Sequence, residues 1–96
     1  FLYMAKAVII CPGGFGTLDE FFETLTLIQT GKISRPLPLV LFGGSYWNRV
    51  LNLDAMVEEG TISPGDTDLF MVTDSVDEAF EYVVSRLTAS EQDEEG

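Results

Sequence analysis

Residues 12 to 20 read Pro-Gly-Gly-Phe-Gly-Thr-Leu-Asp-Glu and separate a continuous apolar run from a segment with helical spacing. No other stretch constrains the chain as tightly. Glycines at a strand-to-helix turn let the main chain approach a ligand without an intervening Cβ, and the start of the helix adds partial positive charge. Such a turn suits an anion, most often a phosphate. Gly13, Gly14 and Gly16 are its turn residues, and Thr17 adds a hydroxyl and an N–H at the helix start. Glu20 falls about one helical turn from that anion.

The rest of the chain supplies a frame for this turn. Ala7-Val8-Ile9-Ile10-Cys11 is apolar throughout rather than alternating, the pattern of a parallel strand covered on both faces. The spacing of Leu18, Phe21, Phe22, Leu25 and Ile28 predicts a helix over 17–30, closed by Gly31 with Lys32 beside its negative end. Leu27 widens that stripe enough for the helix to bury a second face against another subunit. A loop over 34–38 with two prolines leads to a second strand over 39–42, ended by Gly43-Gly44-Ser45. The next helix is expected over 46–59, with Trp47, Val50, Leu51 and Met56 facing inward and Gly60 stopping it. Pro64-Gly65 marks a turn-rich connection over 61–68 to a third strand over 69–72. Ser75 and Glu78 have capping-box spacing for a last helix, whose apolar stripe is Val76, Phe80, Val83, Val84 and Leu87.

The order β-α-β-α-β-α, with crossovers of this length, predicts parallel pairing and a Rossmann-like α/β three-layer sandwich. Residues 1–89 read as the C-terminal part of one such domain, and the acidic segment 90–96 as a disordered tail. Three strands leave apolar edges, and a buried-type strand follows Phe1 almost at once. The expectation is a longer protein in which upstream strands, or a partner chain, cover those edges.

The formal net charge is −11 and there is no histidine. That balance argues against nucleic-acid binding and against anionic membrane surfaces, both of which need clustered Lys and Arg. A phosphate must therefore be held locally, by backbone and dipole, against an unfavourable field. Cys11 is the only cysteine, so no disulfide can form within the chain. Without histidine or a second cysteine, zinc chemistry is disfavoured, and neither a metal nor a cofactor is expected. The first residues lack the basic start and cleavage site of a secretory leader, and no apolar run reaches membrane-spanning length. The expected compartment is the cytoplasm.

Several other residues have plain structural readings. Cys11 reads as a small buried hydrophobe, and Trp47 as a core or interface side chain rather than a base-stacking platform. Asp19 reads as a solvent-facing complement to the helix dipole, and Asp74 and Asp77 as turn and cap residues. Gly43 to Ser45 open the second helix on the same sheet edge as the phosphate turn and are candidates for a pocket wall. Thr17-Leu18-Asp19-Glu20 also fits the capping box S/T-x-x-E, in which Glu20 reaches back to the Thr17 N–H. The two readings compete: a phosphate on the first-turn N–H groups displaces that cap and turns Glu20 toward the ligand. The turn is not a Walker loop, because no Gly-Lys-Ser/Thr follows, and it lacks the G-x-G-x-x-G spacing of the dinucleotide fingerprint.

Pro12 through Glu20 matches the motif PGGxGTxxE, and in this the chain resembles the LOG family, named after the plant cytokinin-activating enzyme Lonely Guy. Its members are nucleoside 5′-monophosphate phosphoribohydrolases, and many relatives carry the label "possible lysine decarboxylase". The similarity continues through Phe21 to Lys32 and, more loosely, to about Leu87. This resemblance implies a Rossmann-like fold and a homodimer or higher oligomer, for which helix 17–30 is the candidate face. It implies hydrolysis of the N-glycosidic bond of a nucleoside monophosphate such as AMP, releasing free base and ribose 5-phosphate. By position, Gly13, Gly14, Gly16 and Thr17 would hold the 5′-phosphate. Glu20 would be the catalytic carboxylate, stabilising oxocarbenium charge at C1′ or orienting water.

The family's upstream arginine and its N-terminal glycine-rich strand end fall before Phe1, and Arg35, Arg49 and Arg86 do not replace that arginine. The chain alone is therefore expected to be inactive or nearly so. Decarboxylation is rejected on chemical grounds. An amino-acid decarboxylase normally needs an electron sink such as pyridoxal phosphate on a lysine, and Lys6 flanks a strand while Lys32 suits a helix end. Two other readings stay open: a carrier or binding module for a phosphorylated ligand, such as a nucleotide or the molybdenum cofactor, and a scaffold that associates through helix 17–30 and its strand edges. Glu20 separates the first of these from the hydrolase, because plain phosphate binding is hurt by a nearby carboxylate.

Overall fold

Runs of Val, Ile and Leu bounded by proline and glycine turns form the two central strands, over 7–10 and 39–42, and their side chains alternate between two covered faces. The structure, a computed structural model, describes residues 2–4, 7–33 and 37–95. Lys6, Arg35 and the 34–36 part of the proline loop lie outside the described residues. The elements are β1 (Leu2–Met4), β2 (Ala7–Ile10), α1 (Phe15–Gln29), β3 (Leu39–Phe42), α2 (Gly44–Val50), α3 (Leu53–Glu58), a short 3-10 helix (Pro64–Asp68), β4 (Met71–Thr73) and α4 (Val76–Glu95). The sheet order is β1-β2-β3-β4. β2, β3 and β4 are parallel, with Ile9 opposite Val40 and Leu41 opposite Val72. The parallel α/β sheet expected from the sequence is present.

Helices cover both faces. Val8, Ile10, Leu39 and Leu41 point to one face and meet Phe21, Trp47 and Phe70, with Leu18, Leu25 and Ile28 of α1 packed alongside. Ala7 and Val40 point to the other face and meet Ala79 and Val83 of α4. Phe21 is fully buried, edge-on to Phe70 with ring centroids 5.4 Å apart and an interplanar angle of 84°. Trp47 lies in the same cluster, and its indole N–H donates to the Phe42 carbonyl at 3.1 Å. It is therefore a core residue, as expected. Among the described residues no helix is long and apolar enough to cross a membrane.

Four expectations need correcting. The outer edge of β2 is paired by β1, which runs antiparallel to it with Tyr3 opposite Val8. Only two residues separate Met4 from Ala7, too few for a parallel crossover. The second helix is two helices. Leu51 is extended (φ −112°, ψ 126°), and the Asn52 side chain caps α3 by accepting from the Ala55 N–H at 3.1 Å. An asparagine at this point favours a cap over a helix interior. Val50 and Met56 are exposed as a result, not inward-facing. On α4 the buried contacts come from Ala79 and Val83, flanked by Tyr82 and Leu87. Val76 and Phe80, expected in the stripe, are 71% and 67% exposed, and Val84 is also exposed. Finally, Cys11 is exposed, because β2 ends at Ile10 and Cys11 already belongs to the turn.

Smaller shifts follow from caps. α1 begins at Phe15 rather than Thr17, and β4 starts at Met71 because Leu69 still closes the 3-10 helix. Ser75 caps α4 as expected, accepting from the Glu78 N–H at 3.2 Å. The backbone of α4 continues through the acidic stretch to Glu95, where composition points to disorder. Glu and Gln are good helix formers, so helical backbone there is no paradox.

Phe21 is the test of the core. Phe21→Ala removes a ring buried among Trp47 and Phe70 and is expected to cost about 3–5 kcal/mol. Urea unfolding followed by tryptophan fluorescence should show the midpoint falling by about 1–5 M.

Candidate active site

Because β2, β3 and β4 are parallel, the three segments that follow them emerge at one edge of the sheet. They are Cys11 to Gly14, Gly43 to Gly44, and Asp74 to Ser75. Open α/β sheets place ligands at this edge. The segments are fastened to one another. The Gly43 N–H donates to the Thr73 carbonyl at 2.8 Å, and the Tyr46 hydroxyl donates to the Gly13 carbonyl at 2.5 Å. Gly43 has φ +104°, and a Cβ there would come within 2.8 Å of the Pro12 ring, so both backbone shape and packing require glycine. Behind it, Thr73 donates to a Glu78 carboxylate oxygen at 2.7 Å and accepts from the Ser75 N–H at 3.0 Å.

The glycine turn runs directly into α1. Gly14 is the cap residue and offers no side chain to the helix start. The first ladder bond is donated by Leu18 to the Gly14 carbonyl at 3.0 Å. The N–H groups of Phe15, Gly16 and Thr17 precede it and have no acceptor within the helix ladder. Gly13 is held close to Thr17: a Cβ on Gly13 would lie 2.8 Å from the Thr17 Cβ and closer still to its hydroxyl. Around Gly14 and Gly16, by contrast, a Cβ would meet nothing within 4 Å. The main chain at these two positions is therefore not packed against other groups in the Cβ direction. Phe15 is 92% exposed beside it.

The structure brings the five singled-out residues together. Gly13 and Gly14 form the turn, Gly16 and Thr17 are the second and third residues of α1, and Glu20 follows on the same helix. Glu20 stands at i+4 from Gly16 and i+3 from Thr17, positions that share one helix face. It is half-buried, whereas Asp19 is exposed as expected. Carboxylate oxygens of Asp19, Glu20 and Glu23 lie within 4.8 Å of one another, so the helix face beside the turn is strongly negative. Lys32 is exposed beyond the far end of α1. Asp74 lies at the shared edge, its Oδ2 atom 3.1 Å from the point a Cβ on Gly44 would occupy. A cavity of about 570 Å³ sits elsewhere, between β4 and α2–α3, lined by Trp47, Asn48, Asn52 and Phe70. None of the glycine-turn residues line it. The turn remains the candidate site because Gly13, Gly14, Gly16, Thr17 and Glu20 lie there, at the carboxyl edge of the parallel strands.

Sequence reasoning did not find Tyr46. Its hydroxyl bonds a carbonyl 33 residues away, and no periodicity or motif signals that contact. The only available hint was its place just after Gly43-Gly44-Ser45, on the sheet edge that carries the turn.

Fold and edge together define the class: a Rossmann-like α/β protein with a glycine-rich turn leading from a parallel strand into a helix. The chain belongs to the LOG family; the family model described as "Possible lysine decarboxylase" matches residues 1–83. It is 37% identical over 75 residues to a "probable cytokinin riboside 5′-monophosphate phosphoribohydrolase" of rice (Oryza sativa subsp. japonica), covering 77% of this chain and 32% of the relative. Two cytokinin riboside 5′-monophosphate phosphoribohydrolases of Arabidopsis thaliana are each 46% identical over 65 residues, covering 64% of this chain and 30% of each relative. The chain spans about a third of the length of the curated relatives it matches.

Two glycine substitutions separate packing from ligand approach. Gly13→Ala, which drives a methyl into Thr17, is expected to destabilise the domain by about 1–3 kcal/mol. Gly16→Ala meets open space in a helix and should leave stability unchanged or raise it by up to about 1 kcal/mol. Thermal unfolding of the two variants side by side checks the contrast.

Proposed function

We propose that the intact protein hydrolyses the N-glycosidic bond of nucleoside 5′-monophosphates, releasing free base and ribose 5-phosphate. The observation that carries this reading is the pairing of a glycine-capped helix start with a carboxylate one turn along it, at the carboxyl edge of a parallel sheet. The relatives, named as cytokinin riboside 5′-monophosphate phosphoribohydrolases, support the same reaction class. In this reading Gly13 shapes the turn, and the main chain at Gly14, Gly16 and Thr17 receives the 5′-phosphate, with the Thr17 hydroxyl as a further donor. The sugar then lies along the first turns of α1. Glu20 faces C1′, where positive charge develops as the bond to the base breaks. It stabilises that charge or orients the attacking water.

The acidic face favours hydrolysis over simple carriage. Asp19, Glu20 and Glu23 repel a phosphate and so work against a module whose sole task is to hold one. The same negative field stabilises an oxocarbenium-like sugar. The carrier reading for a nucleotide or the molybdenum cofactor has no comparable observation in its favour. Among the described residues the one lysine, Lys32, is solvent-exposed and distant in sequence from the turn, a poor setting for the Schiff base that lysine decarboxylation needs. A cytoplasmic homodimer or higher oligomer, joined through the outer face of α1 where Phe22 is exposed, completes the proposal. The upstream arginine that the family resemblance implies is a required part of the intact enzyme, and residues 1–96 alone are expected to show little or no turnover.

The test uses the intact protein and its Glu20→Gln variant, each incubated with AMP and other nucleoside monophosphates, with released base measured by chromatography. The unmodified protein should release base. Glu20→Gln should lose about 10²–10⁴-fold in rate while keeping nucleotide affinity within a few-fold. Tight binding without release by the unmodified protein would favour the carrier instead.

A further inference from the structure

We infer that Tyr46 is a positioning residue for the phosphate turn: its hydroxyl fixes the plane of the Gly13–Gly14 peptide so that the Gly14 N–H faces the anion. This inference rests on the phosphate-binding reading of the turn proposed above. The Tyr46 hydroxyl donates to the Gly13 carbonyl at 2.5 Å. The chain has no cis peptide among its described residues, so the Gly13 C=O and the Gly14 N–H of that peptide point in opposite directions. Anchoring the oxygen toward α2 therefore turns the N–H away from α2. Gly14 is exposed there and has open space around its Cα.

The anchor matters because of what flanks this peptide. Rotating a peptide plane changes ψ of the residue before it and φ of the residue after it. Here both are glycine, which admits nearly the whole dihedral map. Without a latch, the Gly13–Gly14 plane can flip and present a carbonyl oxygen to the anion, replacing attraction with repulsion. The hydroxyl removes that alternative. It also polarises the peptide, which strengthens the N–H as a donor to a charged ligand.

Tyr46 is itself well held. Its ring is edge-on to Trp47, with centroids 5.0 Å apart and an interplanar angle of 79°. Trp47 is buried and is tied to the Phe42 carbonyl through its indole N–H at 3.1 Å. α2 is therefore fixed to the end of β3 and carries the hydroxyl across to the end of β2. Two of the three loops at the sheet edge become one rigid unit, and the ligand does not have to order the turn on binding.

Tyr46→Phe in the intact protein keeps the ring and deletes the hydroxyl. Affinities for AMP, ribose 5-phosphate and adenosine are measured by calorimetry with and without Tyr46→Phe in a Glu20→Gln background, where turnover is blocked, together with hydrogen exchange across residues 12–18. The expected result is about tenfold weaker binding of AMP and ribose 5-phosphate. Adenosine affinity should change by less than about twofold, and exchange in the turn should rise. A merely structural role would weaken all three ligands alike. If the Glu20→Gln protein prefers the phosphorylated ligands and Tyr46→Phe retains that preference in full, the positioning role is overturned while the phosphate reading stands. If the Glu20→Gln protein shows no preference for the phosphorylated ligands, the phosphate reading fails and the inference fails with it. Should the variant not fold, incorporation of a fluorotyrosine at 46, which strengthens the phenolic donor, is expected to tighten AMP binding; unchanged or weaker binding would contradict the inference.

Discussion

The start of α1 is the constraint on which the rest of the structure depends. A helix that opens on glycine has no side chain to cap its first N–H groups, and Gly14 is the cap residue here. Natural helices usually satisfy these groups with Ser, Thr, Asp or Asn. This chain instead spends its conformational precision on the residues around the turn. Gly13 lies close against Thr17, Pro12 packs against Gly43, and Tyr46 reaches across to the Gly13 carbonyl. The result is a helix start whose first N–H groups have no side-chain cap, at a turn fastened to the neighbouring segments; in the proposed function these groups are the donors to the anion.

Electrostatics sharpen the point. A chain of net charge −11 is a poor general collector of phosphates. Attraction must be short-ranged and directional, and aligned N–H groups at a helix start supply that. The acidic face of Asp19, Glu20 and Glu23 would be a liability for a simple phosphate holder. It becomes useful once the ligand develops positive charge at the sugar. In the proposed reaction, the two halves of a nucleoside monophosphate would face opposite local fields along the first two turns of one helix.

Much of this was legible in the sequence, for physical reasons. The unbroken apolar runs 7–11 and 39–42 fit strands covered on both sides, and the structure forms strands over 7–10 and 39–42 and covers both faces with helices. Ser75 with Glu78 signalled a helix start by chemistry rather than propensity, and that cap forms. Where the reading slipped, tertiary context decided. The stripe Val76, Phe80, Val83, Val84 and Leu87 does not say which edge of it the sheet takes, and the sheet takes Val83 and Leu87 together with Ala79, which lay outside the stripe. Asn52 looked like one more residue of a long helix, yet its side chain preferred to cap. The tie from Tyr46 to Gly13 was invisible because it joins the first turn of α2 to the glycine turn, which only the parallel sheet brings together.

The most direct test of the account is a crystal structure of the intact protein with AMP bound. The account predicts phosphate oxygens within hydrogen-bond distance, about 2.7–3.2 Å, of main-chain N–H groups at Gly14, Gly16 and Thr17, with the Glu20 carboxylate beside C1′ of the ribose. A nucleotide whose phosphate sits away from the α1 start, for example in the cavity beside Asn48 and Asn52, would contradict it.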